Sequence, residues 1–296
     1  MAAPAPSTVA AVELGGTKIV CGVASRDDPA HPLRVERFPT TGPDATLTRI
    51  EAFLRDAAAQ RPLTAIGVAS FGPLDVEPGA PGFGRITDTP KEGWSGTSLF
   101  DGIPALRAHP TAIMTDVSAA ALAEHREGAA AGHDRAAYLT VGTGIGAGIV
   151  IHGELVHGNG FPEAGHLIVR RHPQDRYGGC CRLHGDCVEG LASGPAVRER
   201  WGVPGDELRG ETLSEAVEVI GYYLAQAVHA VHGIAGSQVV VLGGGVMNLP
   251  GLFDAVGVDL AALRRASGPD PSAPTLVRPA FEDAGLVGGL VAASAL

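Results

Sequence analysis

Short apolar runs broken by glycine alternate along this chain with longer stretches of helical period, the pattern of an α/β protein. Val9 to Leu14 and Ile19 to Ala24 read as strands joined through the glycine turn Gly15-Gly16-Thr17-Lys18. Thr46 to Gln60 sets Leu47, Ile50, Phe53, Leu54 and Ala57 on one helical face. Ala65 to Ser70 is a buried strand, Phe71-Gly72-Pro73 a turn, and Gly79 to Gly96 an irregular Gly- and Pro-rich excursion. Ala112 to Thr115 is a strand ending at Asp116, and Ser118 to Ala131 a helix with Ser118 as its N-cap. A second strand–glycine–strand unit runs through Ala136 to Val141, Gly142 to Gly148 and Ile149 to His152. Beyond it come a long helix from Ser214 to Ile234, a strand from Gln238 to Leu242 entering Gly243-Gly244-Gly245, and a closing helix from Asp283 to Leu296 that packs back onto one lobe. Two such units predict an internal duplication.

Composition sharpens this outline. A chain of 296 residues has room for two cores. Its 42 glycines exceed what turns alone demand and point to backbone-lined loops close to a ligand. The formal net charge of −10 speaks against a nucleic-acid surface, which needs clustered Lys and Arg. Three of the four cysteines fall between Cys180 and Cys187, too close together for a disulfide framework. Reduced thiols, no signal-peptide pattern and no apolar run of spanning length together predict a soluble cytoplasmic protein with no membrane partner.

The segment Glu163 to Glu189 is the richest in chemistry. Cys181-x2-His184-x2-Cys187 has the spacing and ligand types of a tetrahedral zinc knuckle, with Cys180 competing for the place of Cys181. The fourth ligand is His166 or His172, and four protein ligands make the ion structural. The glycine turns can present backbone N–H groups to phosphate oxygens. None matches the phosphate-loop or dinucleotide fingerprints. Asp116, at a strand end before a helix, has the ordinary role of a cap and the sharper one of a general base towards a hydroxyl.

These residues taken in order, Gly15-Gly16-Thr17-Lys18, Thr115-Asp116, VGTGIGAG from Val141 to Gly148, Glu163-Ala164-Gly165-His166, the cysteine knuckle, Glu189 to Gly194 and Leu242 to Val246, resemble the ROK family of sugar kinases. Thr89-Pro90-Lys91 with Gly93-Trp94, and Arg170-Arg171-His172-Pro173, resemble its fructokinase subgroup. The likeness runs from about Val9 to the closing helix. It implies a two-lobed, actin-like, hexokinase-type (ribonuclease H-like) α/β fold with a central cleft and a zinc-binding loop. Residues 1–115, closed by helix 283–296, would form the small lobe, and 116–282 the large lobe carrying zinc segment 163–189.

The resemblance also implies roles. Asp116 would be the catalytic base, and Glu163, His166 and Glu189 would bind sugar hydroxyls beside it. Gly15, Gly16, Thr17, Lys18, Thr143, Gly144 and Gly146 would face the phosphates of ATP, and Gly243, Gly244 and Gly245 the nucleoside. His166, Cys181, His184 and Cys187 would hold structural Zn²⁺, and Mg²⁺ would accompany ATP. Ser118 stands where the family commonly carries Asn, and Glu13 where many members carry Asp.

The expected function is an ATP-dependent hexose kinase, a fructokinase phosphorylating the 6-hydroxyl of D-fructose, acting as a homodimer. The alternatives are a broader manno- or glucokinase and a non-catalytic sugar-binding regulator. About eight residues precede the first strand, too few for the helix-turn-helix of a ROK repressor.

Overall fold

The computed structural model describes residues 7–77, 79–89, 91–158, 160–266 and 273–296. Pro90 of the Thr89-Pro90-Lys91 motif lies outside the described residues. The chain divides into two compact units, the first comprising 1–128, 157–161 and 280–296, the second 129–156 and 162–279.

In the first unit, β1 (Thr8–Leu14), β2 (Lys18–Ser25) and β3 (Arg34–Pro39) form an antiparallel meander. α1 (Pro43–Gln60) crosses to β4 (Leu63–Ser70). The short helices α2 (Leu99–Gly102) and α3 (Ala105–Ala108) precede β5 (Thr111–Thr115), which leads into α4 (Asp116–Glu127). β4 and β5 extend the sheet in parallel, giving the order β3-β2-β1-β4-β5.

The second unit begins with β6 (Arg135–Val141), β7 (Ile145–Ile151) and the two-residue β8 (Glu154–Leu155). α5 (Val188–Ala192), α6 (Gly194–Trp201) and the 26-residue α7 (Gly210–Ala235) follow. β9 (Val239–Gly243), α8 (Leu252–Ala266) and β10 (Thr275–Val277) complete its sheet, in the order β10-β9-β6-β7-β8. The two sheets thus repeat one topology, an antiparallel three-strand meander whose first strand pairs in parallel with a later strand that itself pairs in parallel with another. α9 (Ala284–Ser294) then returns to the first unit.

Alternation along β1 explains its burial on both faces. Ala10, Val12 and Leu14 join the α1 side chains Leu47, Ile50, Phe53 and Leu54, whereas Val9 and Ala11 meet Leu286, Leu290 and Ala293 of α9. α9 is apolar all round and correspondingly buried. It reaches the sheet through glycine: a Cβ on Gly67 of β4 would overlap the carbonyl of Gly289, and one on Gly288 would overlap that of Ala119 in α4. The fully buried Glu124 of α4 accepts the N–H groups of Ala280 and Phe281 (2.8 and 3.1 Å), securing the entry to α9. Because α4 packs against α9, it belongs to the first unit, whereas a division at residue 115 places it with the second.

Several elements differ from the sequence expectation. The helix expected over Ser118 to Ala131 begins at Asp116 and ends at Glu127, and its cap is Thr115, whose hydroxyl accepts the N–H of Ser118 at 3.2 Å. The second glycine turn is shorter than Gly142 to Gly148, because β7 starts at Ile145 and pairs Gly146 with Thr140. β3, β8, β10 and the helices α2, α3, α5, α6 and α8 add to the expected set. β3 is polar and half-exposed and β10 only three residues long, so neither carries a clear strand pattern. Among the described residues no helix is long and apolar enough to cross a membrane.

Candidate active site and metal centre

In the first unit the turn between β1 and β2 is closed by Gly15 N–H donating to Lys18 O (3.0 Å) and braced by Thr40, whose hydroxyl donates to Gly15 O at 2.7 Å. A Cβ on Gly15 would lie 2.6 Å from Lys18 O, so the tight return requires glycine. Gly16, Thr17 and Lys18 are exposed. Lys18 Nζ is 2.8 Å from Asp283 Oδ1, and Arg37 bonds the other oxygen of that carboxylate. Burial of the Asp283 carboxylate acts to raise its pKa, yet these two cations hold it below the usual carboxylate range. Lys91 Nζ donates to Gly16 O at 3.0 Å.

Glu13 lies just before this turn. Its carboxylate accepts the N–H of Leu286 (3.1 Å) in the first turn of α9. Burial, reinforced by the negative charges of Asp116 and Asp283, pushes its pKa up to about 7, against the pull of Lys18. Asp116 is the first residue of α4, with Oδ1 accepting the Val117 N–H at 2.8 Å. Ser118 is fully buried and bonds Thr115 Oγ1 at 2.8 Å, so at this position it completes the helix cap.

The second unit carries the other residues. Glu163 opens the 3₁₀ turn Ala164–His166, seated on β7 through Gly165, where a Cβ would overlap Ile145 O. Glu189 in α5 accepts the N–H of Ile145 at 3.0 Å, and a Cβ on Gly144 would lie 2.8 Å from the same carboxylate. Gly142 O accepts the N–H of Gly194 at 2.7 Å. The Gly142–Gly144 turn and Glu189 therefore form one assembly, leaving Thr143 exposed. Burial raises the Glu163 pKa and the charge of Glu189 adds to it, while His166 opposes. Gly244 has φ 92° and a virtual Cβ 2.5 Å from the Val141 backbone, and one on Gly243 would overlap Tyr138 Oη. Those two glycines have packing reasons, whereas Gly245 faces open space.

His166, Cys181, His184 and Cys187 converge so that one ligand atom from each lies within 4.8 Å of the rest. His166 Nδ1 is 3.6 Å from Cys187 Sγ and 3.7 Å from Cys181 Sγ, and His184 Nδ1 is 4.0 Å from Cys181 Sγ. Zn–S near 2.3 Å and Zn–N near 2.0 Å in a tetrahedron place such atoms about 3.6 Å apart. The set fits a zinc-binding loop. Burial pushes the Cys187 thiol up to about 11, so its ligating thiolate form needs a cation beside it. Neither of the two competing residues joins this cluster. Cys180 Sγ lies by Ser193 Oγ (4.0 Å), and His172 is buried against Tyr222 and Glu218.

Sequence spacing brings none of Lys91, Asp283 and Arg37 to the glycine turn. They lie tens to hundreds of residues away from it, and no local period links them.

Comparison with known proteins places these features. The ROK family model matches residues 9–295. A putative fructokinase of Bacillus subtilis (strain 168) is 43% identical over 242 residues, 82% of this chain and 78% of the relative. The fructokinase of Zymomonas mobilis is 41% identical over 248 residues, 83% and 82% of the two chains. The crystal structure of the ROK hexokinase from Thermus thermophilus superposes with a TM-score of 0.77 at 29% identity, covering 97% of each chain. With its two repeated sheets, glycine turns and Cys/His cluster, the chain belongs to the ROK family.

Proposed function

We propose that this protein is an ATP-dependent hexose kinase that phosphorylates D-fructose at its 6-hydroxyl. The observation that carries the reading is the 41–43% identity to fructokinases over four-fifths of the chain. Asp116 at the α4 N-terminus supplies the acceptor that the chemistry needs. ATP enters as its Mg²⁺ complex. The 6-hydroxyl oxygen forms a bond to the γ-phosphorus, its proton passes to the Asp116 carboxylate, and the bond to the bridging β–γ oxygen breaks to release ADP. Glu163, His166 and Glu189 hydrogen-bond the remaining sugar hydroxyls, and a site built on such pairs rejects sugars lacking one. Gly15, Gly16, Thr17, Thr143, Gly144 and Gly146 serve the phosphates, Lys18 ties the first turn to Asp283, and Gly243 to Gly245 serve the nucleoside. Gly146, inside β7, contributes by allowing close approach.

His166, Cys181, His184 and Cys187 hold Zn²⁺, whose role is to fix the 163–189 segment. The protein acts as a cytoplasmic homodimer, a reading supported by the family resemblance.

ADP release measured with fructose, mannose and glucose in parallel tests the assignment. Fructose is expected to give the highest kcat/KM. Absence of sugar-dependent ADP release would sink the kinase reading, and equal values would favour a broad-specificity hexose kinase. Asp116→Asn is expected to lower kcat by roughly 10²- to 10⁴-fold with fructose still bound.

A further inference from the structure

Two lysines reach the Gly15–Gly16 turn, and their surroundings differ. Lys18 is committed: its Nζ lies 2.8 Å from Asp283, a carboxylate only 8% exposed and shared with Arg37. Its ammonium is therefore engaged in this ion pair, and it ties the turn to the entry of α9. Lys91 is placed otherwise. Its Nζ donates one hydrogen bond to Gly16 O at 3.0 Å and sits 4.7 Å from the Phe71 ring centre. Among the described residues it forms no ion pair with a carboxylate. A Cβ on Gly16 would overlap this amine, so the bareness of Gly16 is what lets Lys91 lie over the turn.

The approach is held from below. Trp94, 2% exposed, stands edge-on to Phe71 at 5.3 Å, and its indole N–H donates to Thr41 O at 3.0 Å. Trp94 N–H also donates to Lys91 O (3.1 Å), and Ser95 closes the loop on Thr89. A cation on so anchored a stem needs little reordering to meet an anion.

We propose that Lys91, rather than Lys18, is the cation that contacts the γ-phosphoryl group during transfer, with Gly16 kept bare to admit it and Lys18 serving as a structural tie. The inference rests on the kinase reading above. An ammonium with two free N–H donors beside the glycine turn stabilises the charge spread over the equatorial oxygens, while the sugar proton passes to Asp116 and ADP departs. Burial also lowers the Lys91 pKa, with Asp116 the charged group opposing it, so the amine loses its proton at lower pH than a surface lysine does.

The test compares Lys91→Met, Lys91→Arg and Lys18→Met with the wild type under saturating ATP and fructose. Lys91→Met is expected to lose roughly 100-fold or more in kcat while fructose KM stays within about threefold. Lys18→Met is expected to lose less than about tenfold and to show its effect in thermal stability. In the wild type, kcat falls at high pH as Lys91 deprotonates, and Lys91→Arg is expected to move that limb upward, because guanidinium stays charged. A wild type without sugar-dependent ADP release would refute the kinase reading itself. A wild type that turns over beside a Lys91→Met variant within threefold of it would overturn this inference alone. So would a Lys18→Met variant with unaltered thermal stability and an equal loss of kcat. If Lys91→Met misfolds, the Lys91→Arg profile decides, and an unmoved limb overturns the proposal.

Discussion

Replacing Glu13 by Gln preserves the oxygen that accepts the Leu286 N–H at 3.1 Å and removes one of three acidic charges gathered at the α9 entry. Burial and the charges of Asp116 and Asp283 raise this carboxyl from an ordinary 4.5 to about 7. The folded protein therefore binds the proton more tightly than the unfolded chain does. Below pH 4.5 the group is neutral in both states and costs nothing. Between pH 4.5 and 7 the unfolded chain ionises first, so stability falls as pH rises, and above pH 7 the full penalty is present. The gap in pKa, which already includes the attraction of Lys18, corresponds to ~3 kcal/mol, and the partial exposure of Glu13 reduces this to about 2 kcal/mol. Glu13→Gln is thus expected to exceed the wild type by only about 0.5 kcal/mol at pH 5 and by about 2 kcal/mol at pH 8.

Urea unfolding at intervals from pH 5 to 8 reads this difference. A Trp201→Phe background leaves Trp94 as the one tryptophan, so its fluorescence reports the first unit, a precaution that a chain of two compact units needs. A stability difference that stays flat with pH, or a variant weaker than wild type at pH 8, would refute the reasoning.

Cys181→Ser should lower metal content from about one zinc per chain to near zero by elemental analysis and raise fructose KM about tenfold, more than it lowers kcat; a variant that keeps its zinc would remove Cys181 from the ligand set. Gly288→Ala should cost about 3 kcal/mol or more in urea unfolding, because its Cβ would overlap the Ala119 carbonyl and the clash outweighs the better helix propensity of alanine. Gly257→Ala in α8, where a Cβ meets nothing within 4 Å, should instead stabilise by up to about 1 kcal/mol. Equal effects at the two glycines would show that helix propensity, not close packing, governs both.

The strands β1, β2, β4, β6 and β9 and the helices α1, α7 and α9 are legible in the sequence, because continuous apolar runs and a 3.6-residue face are local signals. So are the knuckle Cys181-x2-His184-x2-Cys187 and the repeated strand–glycine–strand units, whose spacing needs no knowledge of the fold. α8 carries a readable face in Leu252, Val256 and Leu260, whereas β3 and β10 take their strand character from the neighbours they pair with.

Tertiary structure alone decides the rest. It brings Cys181 and not Cys180, and His166 and not His172, together with His184 and Cys187, a matter of where four atoms converge. It assigns the cap of α4 to Thr115, and it presses Gly244 and Gly288 against neighbouring backbone and Gly243 against the Tyr138 side chain. It also brings Asp283 to Lys18, Leu286 to Glu13 and Lys91 to Gly16. Chain periodicity reports which face of an element is buried. Only the packed fold reports which distant residue lies against it, and the charges around the glycine turn come from such distant residues.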